Sequence, residues 1–333
     1  LRVLKSPARL ILGLGFLALA VLAVFVVTRA RSVARELTDP PFYHVPSLER
    51  VEATYRDLAK GGYGDPGGTW ETFDAGHRRV WYLRRAAPSR GVVLMLHGFG
   101  DDRWGTSPAL RQFPTLDAAI FTYLGRDDAL REGRPAPPVT FGAKESIEVA
   151  GVVHALEARG YPRRHIILLG RSLGASVALL ALAQLEREDR GPLGGVIWEG
   201  APASSRDFAE RLVRGPEDRF WHRFLAPAIG SLGSAWAASR GGYDRDDTDL
   251  RLRIDDLRLR TPSLCFLASQ DRLASPQVQR WVASRFKVNR TVEVPTWHLH
   301  CAEILGAGYG EAVRAATGSW VPDPEARSSG SSD

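Results

Sequence analysis

Apolar and polar positions divide the chain into three regimes. The first is an uncharged run of 18 residues, LILGLGFLALAVLAVFVV, from Leu10 to Val27. As an α-helix such a run spans about 27 Å, close to the hydrocarbon thickness of a bilayer. A core helix of a globular protein is seldom apolar on every side over that length. The second regime, residues 32–68, is a polar connector. Within it Leu48, Val51, Tyr55 and Leu58 recur at helical spacing, with Ser47 to cap a short helix and Gly61-Gly62 to end it. The third regime, residues 69–320, alternates short strand-like runs with helical stretches.

The strand-like runs are of two kinds. RRVWYLRRA (78–86) alternates and predicts an edge or outer strand, whereas GVVLMLHG (91–98), IILLG (166–170), GGVIWEG (194–200) and TPSLCFLASQD (261–271) are apolar almost throughout. Continuous apolar runs are expected of strands covered on both faces. DAAIFTY (117–123) and NRTVEVP (289–295) add two more strands. Helices are predicted from about 144 to 159, with Ile147, Gly151, Val152 and Leu156 facing inward, and over 173–188 and 302–318. The alternation predicts an α/β fold with a mostly parallel central sheet covered by helices on both faces. Residues 201–260 break the alternation and are expected to form a small helical lid insertion. Its Phe220, Trp221, Phe224 and Leu225 offer either an apolar wall over a bound acyl group or ordinary core. Residues 321–333 are polar and expected to be a disordered tail.

Composition narrows the class. A chain of 333 residues with 44% apolar content suits one large domain plus appendages. The net charge of +6 is spread along the chain without a basic stripe, so nucleic acid is not an expected partner. Cys265 and Cys301 are too few for a disulfide scaffold and lack zinc-ligand spacing; Cys265 reads as a buried strand residue. The apolar run 10–27 is either a cleaved signal peptide or a membrane anchor. It ends in TRARS rather than in small residues, which favours an anchor over residues 1–31 that holds the lipid bilayer through 10–27. Arg2, Lys5 and Arg9 precede the run and Arg29, Arg31 and Arg35 follow it. The terminal amine tips this balance toward a single-pass arrangement with the remaining domain on the extracytoplasmic side.

The candidate chemistry centres on GRSLG (170–174), which follows an apolar strand and precedes a helix rich in small residues. That context is what a nucleophile elbow needs: a sharp turn that lifts Ser172 Oγ above the sheet, with the helix N-terminus aimed at a developing oxyanion. The Leu173 N–H is the first oxyanion donor. The turn HGFG (97–100) after another buried strand supplies a second, from Phe99. His97 reads as a structural side chain beneath this turn. A serine nucleophile requires a base and an acid to orient it, here in the chain order Ser, acid, His. Asp271 lies just beyond a predicted strand, and His298 and His300 lie between the last strand and the last helix. His300, which abuts that helix, is the expected base, with His298 as the alternative. Glu199 is a lesser candidate for the acid.

Strand, HGFG, GRSLG, Asp271 with Pro276 behind it, and a late histidine together resemble the α/β-hydrolase superfamily over about residues 72–317. More narrowly, TFGAKESIEVAGVVHAL before GRSLGA resembles serine aminopeptidases and ABHD-type lipases and thioesterases. The resemblance implies an α/β-hydrolase fold and the set Ser172, Asp271 and His300, with Phe99 and Leu173 as oxyanion amides. It implies acyl transfer to water from a small acyl-ester or peptide-like substrate, with neither metal nor cofactor. TYLGRDDALREGRPAPPVTFG (122–142) departs from the pattern, and Arg126 with its neighbouring prolines is expected to reshape the pocket wall. A carboxylesterase or lipase-like enzyme is the leading expectation. A peptidase or thioesterase with the same site, and a non-catalytic binding protein on the same fold, are its rivals.

Overall fold

A computed structural model of the protein describes residues 7–40, 68–215 and 220–321. The short helix expected at 47–60, most of the connector and residues 322–333 lie outside them.

The eight-stranded sheet has the order β1-β2-β4-β3-β5-β6-β7-β8. Its strands are β1 (Gly68–Ala75), β2 (Arg78–Arg85), β3 (Val92–Leu96), β4 (Asp117–Ile120), β5 (Ile166–Arg171), β6 (Gly195–Glu199), β7 (Ser263–Ala268) and β8 (Asn289–Val294). From β4 to β8 every pairing is parallel; β2 is antiparallel to both β1 and β4. The alternating strand β2 therefore lies one place in from the edge, which β1 occupies.

The helices are α1 (Pro7–Thr38), α2 (Arg126–Arg131), α3 (Glu145–Ala158), α4 (Leu173–Arg187), α5 (Ser205–Arg214), α6 (Phe220–Gly241), α7 (Leu250–Ile254), α8 (Pro276–Ala283), α9 (Cys301–Leu305) and α10 (Ala307–Trp320). Alternate strand residues feed two cores. Val92, Leu94, Leu96, Ile166 and Leu168 join the layer of α3, α4 and α6, whereas Val93, Met95, Ile167 and Leu169 face Phe113 and α10. Period-two alternation between two apolar layers is why these strands carry no polar face. On α3 the inward face is Val149, Val152, Val153 and Leu156; Ile147 and Gly151, both expected inside, are exposed because they fall off that face of the helix.

α1 does not stop where its apolar run stops. Arg29 Nη1 bonds Ser32 Oγ at 3.2 Å and Glu36 Oε1 at 2.8 Å, carrying the helix through residues first read as connector. Ile11 through Val24 are exposed, whereas Ala30, Val33 and Leu37 are buried in the core. Arg126, itself buried, closes the helix end: its guanidinium donates to Thr38 O at 3.3 Å, to Asp39 Oδ1 at 3.2 Å and to Pro137 O. Arg126 thus holds α1 to the body and is not a pocket-wall residue.

The insertion between β6 and β7 contains α5, α6 and α7. α1 and α6 lie in close contact at Gly233, where a Cβ would sit 2.7 Å from Val33 Cγ1 and 3.2 Å from Ala30 O. They run parallel, because their C-terminal ends meet one segment. Thr38 O accepts from Val139 N at 2.9 Å, and a Cβ on Gly241 would lie 3.2 Å from Thr140 Cγ2.

Candidate active site

Ser172 stands at the junction of β5 and α4 with φ 53° and ψ −125°. A non-glycine residue in that region costs about 1–3 kcal/mol and persists only where its surroundings over-determine it. Here they do. A Cβ on Gly170 would lie 2.3 Å from Gly174 O, and one on Gly174 would lie 2.1 Å from Leu96 O, so the turn closes onto itself and onto β3. The Ser172 amide donates to Glu199 O at 2.9 Å, tying the turn to β6 as well.

His298 Nε2 lies 2.9 Å from Ser172 Oγ, and His298 Nδ1 lies 2.7 Å from Asp271 Oδ2. The other carboxylate oxygen of Asp271 accepts from the amides of Leu273 and Ala274, each at 2.8 Å, which fixes the carboxylate plane. An ionised Asp271 offers only acceptors, so Nδ1 carries the imidazole proton and Nε2 accepts from the Ser172 hydroxyl. His300 is not part of this chain of bonds, which corrects the expectation made for it. Its ring is 53% exposed and pairs with Glu303 Oε2 at 2.7 Å, one turn along α9. The reason lies in the backbone. Leu299 takes φ 62°, so the chain reverses between the two histidines, and His300 already caps α9 with its side chain toward solvent.

The histidine loop is clamped from the neighbouring strands. Arg171 Nη2 donates to Leu299 O at 2.9 Å, and Glu199 Oε1 accepts from Cys301 N at 3.0 Å. Arg171 Nε and Glu199 Oε2 are 3.3 Å apart but misaligned for a hydrogen bond, so their contact is ionic. Gly200, with φ 66°, completes the seat: a Cβ there would meet His298 Cε1 at 2.8 Å. Sequence reasoning passed over this clamp. Its one visible signal was a charged residue at the end of each of two otherwise apolar strands. Glu199, weighed earlier as an acid for the base, faces Cys301 N and Arg171 instead. Cys265 and Cys301 are both free and buried, and burial pushes their thiols up.

The HGFG turn lies against the serine: a Cβ on Gly98 would be 3.6 Å from Ser172 Cβ. This places Phe99 beside Ser172, opposite the start of α4, where Leu173 carries one of the helix's first amides. His97 lies buried beneath, stacked on Tyr123 at 4.1 Å between centroids; its Nε2 accepts from Tyr123 N at 3.4 Å and its Nδ1 is 3.0 Å from Gly98 O. Burial lowers the His97 pKa to about 4, only partly offset by the Gly98 carbonyl, so the ring stays neutral at pH 7. Phe99 also meets Phe141 at 5.3 Å and Phe208 of α5 at 5.4 Å, and those two lie 5.2 Å apart. Phe141 and Phe208 are buried in the core, so within this trio Phe99 is the part-exposed ring beside Ser172. Phe220 and Phe224, expected to share that role or to be core, are exposed on α6.

Among the described residues no group of three or more His, Cys, Asp or Glu is placed to hold a metal ion. A large open cavity of about 700 Å³, lined by Tyr82, Arg84, Asp117 and Arg159 among others, lies at the opposite end of the sheet, where β4 begins. Ser172 instead sits at the C-terminal ends of the parallel strands, where open α/β sheets bind ligands.

Solved structures share the fold. The Pyrococcus furiosus esterase Pf2001 superposes with a TM-score of 0.55 at 14% identity, over 77% of this chain and 95% of that one. EstE5 gives 0.53 at 15% identity, over 89% and 97%. An esterase from the bacterial hormone-sensitive lipase family gives 0.53 at 17% identity, over the same 89% and 97%. The fold is the α/β-hydrolase fold. No protein-family model and no curated protein matches the chain. Ser172 stands in the turn between β5 and α4 of this sheet. The α/β-hydrolase sheet here carries its helical insertion between β6 and β7, so α5 reaches both Phe99 and, through Arg211 Nη1 to Arg272 O at 3.3 Å, the loop of Asp271.

Proposed function

We propose that the protein is a membrane-anchored serine hydrolase that cleaves a carboxylic ester. The observation that carries this reading is the bonded series Ser172–His298–Asp271, held at a strained turn above the sheet. In the proposed reaction Ser172 Oγ attacks the ester carbonyl as His298 Nε2 takes its proton. The amides of Phe99 and Leu173 stabilise the oxyanion. His298 then protonates the departing alkoxide, leaving an acyl-serine. Water, deprotonated by the same nitrogen, attacks the acyl carbon, and the proton returns to Ser172 as the acid is released. Asp271 holds the tautomer and stabilises the imidazolium. Phe99, backed by the buried Phe141 and Phe208, takes the acyl group.

Two observations favour an ester over a peptide. Among the solved structures that share the fold, Pf2001, the hormone-sensitive lipase family protein and E40 are described as esterases. Glu199, a candidate acid for binding a substrate amine, is 1% exposed and engaged by Arg171 and Cys301 N. The anchor is α1: the helix that carries the apolar run also buries Ala30, Val33 and Leu37 in the body, which favours its retention over cleavage. A panel of p-nitrophenyl esters of graded acyl length, run beside aminoacyl p-nitroanilides, tests the reading. Turnover of esters and not of anilides is expected; the reverse preference would make the protein a peptidase.

The clamp on the histidine loop makes its own prediction. Arg171→Gln removes the bond to Leu299 O and is expected to lower kcat by about 10- to 100-fold, since misplacement of a catalytic group by about 1 Å costs that much. KM should change little. A Tm loss with unchanged kcat per folded molecule would assign Arg171 a purely structural role.

A further inference from the structure

Outside the site, the most conspicuous feature is an apolar ridge on α6. Phe220, Phe224, Ala228 and Leu232 recur at every fourth position and are exposed, Phe220 at 77% and Phe224 at 67%. Phe220 and Phe224 meet edge to face, 4.9 Å between ring centroids, on this outer surface. The inner face of the same helix, with Ala226, Ile229 and Ala237, is already buried in the core. So the ridge is surplus to folding: water would meet two phenylalanine rings on a helix whose packing face is elsewhere.

The register between α1 and α6 says what covers it. The helices run parallel and meet at Gly233 against Ala30 and Val33. Counting back along both, Phe224 stands level with about Leu22 and Phe220 with about Leu19, in two helices that each rise about 1.5 Å per residue. Both phenylalanines therefore lie beside the uncharged run Leu10–Val27, not beyond it. Phe224 falls roughly 7 Å, and Phe220 roughly 13 Å, inside the end of that run at Val27. Both depths fall within half the hydrocarbon thickness, about 15 Å.

We propose that the N-terminal half of α6 is embedded in the lipid bilayer beside α1, with the ridge Phe220–Phe224–Ala228–Leu232 against the acyl chains. This rests on the reading of α1 as a membrane anchor and extends it. The lid insertion is then docked on the membrane, and the body is held at a set orientation rather than swinging on a tether. α6 is joined to α5, whose Phe208 touches Phe99 beside Ser172, so the side of the site that the insertion covers is the side nearest the lipid.

The test uses the full chain in phosphatidylcholine vesicles, labelled with a nitrobenzoxadiazole fluorophore at one introduced cysteine. Cys265 and Cys301 are buried and stay unlabelled in the folded protein. Three positions are compared: Phe16→Cys in the apolar run, Phe224→Cys on the ridge and Val288→Cys, exposed beside the start of β8. Phe220→Cys repeats the ridge measurement, and all four side chains are exposed, so folding is not at stake. Lipids bearing a nitroxide on the acyl chain are expected to quench most of the emission at Phe16, Phe220 and Phe224 and little at Val288. Quenching at Phe16 with none at either ridge position overturns the proposal while leaving the anchor standing. No quenching at Phe16 overturns the anchor and the proposal with it. Ridge labels that quench one another as protein density rises, but not with nitroxide lipid, would show a second copy covering the ridge, which also overturns it.

Discussion

Ser172→Ala is expected to abolish ester turnover, lowering kcat by a factor on the order of 10⁵–10⁶, and to eliminate covalent labelling by a fluorophosphonate probe. The variant loses the oxygen that lies 2.9 Å from His298 Nε2, while Leu173, Phe99 and the sheet are untouched. Undiminished labelling of the variant would remove Ser172 from the mechanism. Stability provides a second readout. Alanine keeps the side-chain cost of φ 53°, whereas glycine does not. Ser172→Gly is therefore expected to be more stable than Ser172→Ala, by up to about 1–3 kcal/mol in denaturant unfolding. Equal stability of the two would mean that the turn is not strained.

The two histidines should separate cleanly. His298→Ala is expected to lower kcat by about the same factor as Ser172→Ala, because nucleophile and base act as a unit and their losses do not add. The double variant should be no slower than either single one. His300→Ala, which removes only an exposed contact with Glu303, should leave kcat within a few-fold of the parent. The decisive measurement is kcat for the parent and these four variants on one ester at saturating concentration. An inactive His300→Ala beside an active His298→Ala would restore the assignment that the sequence favoured and refute the geometry.

That contrast shows where reading the chain stopped. His298 and His300 are two residues apart, both polar, both between the last strand and the last helix. No periodicity distinguishes them. What separates them is a positive φ at Leu299 and two clamps from distant positions, Arg171 onto Leu299 O and Glu199 onto Cys301 N. Such contacts join residues 102 to 128 positions apart in sequence and leave no local mark. The same holds for α6. An amphipathic pattern reveals that Phe220 and Phe224 share a face, but whether that face meets the core or the outside depends on which side α1 and the sheet take. Ile147 on α3 failed for a related reason: the apolar residues of that helix wrap too widely for a pattern to phase its buried face.

What the sequence determined by itself is the set of elements and their class. Uninterrupted apolar runs require strands buried on both faces, intervening helical stretches require crossovers, and the two together require a mostly parallel sheet. G-R-S-L-G between strand and helix required a tight turn with Ser172 at its crest, because only glycines tolerate the approach of Gly174 O and Leu96 O. These are local constraints of period, length and sterics, and each is written within a few consecutive residues. The tertiary structure decided what depends on distance through space: which histidine meets Ser172, that Arg171 and Glu199 hold its loop, that α1 continues to Thr38 and roots in the core, and that a second helix runs beside the apolar run. Hydrogen bonds and packing act over ångströms in space and are indifferent to separation along the chain, so they become visible only when the chain is folded.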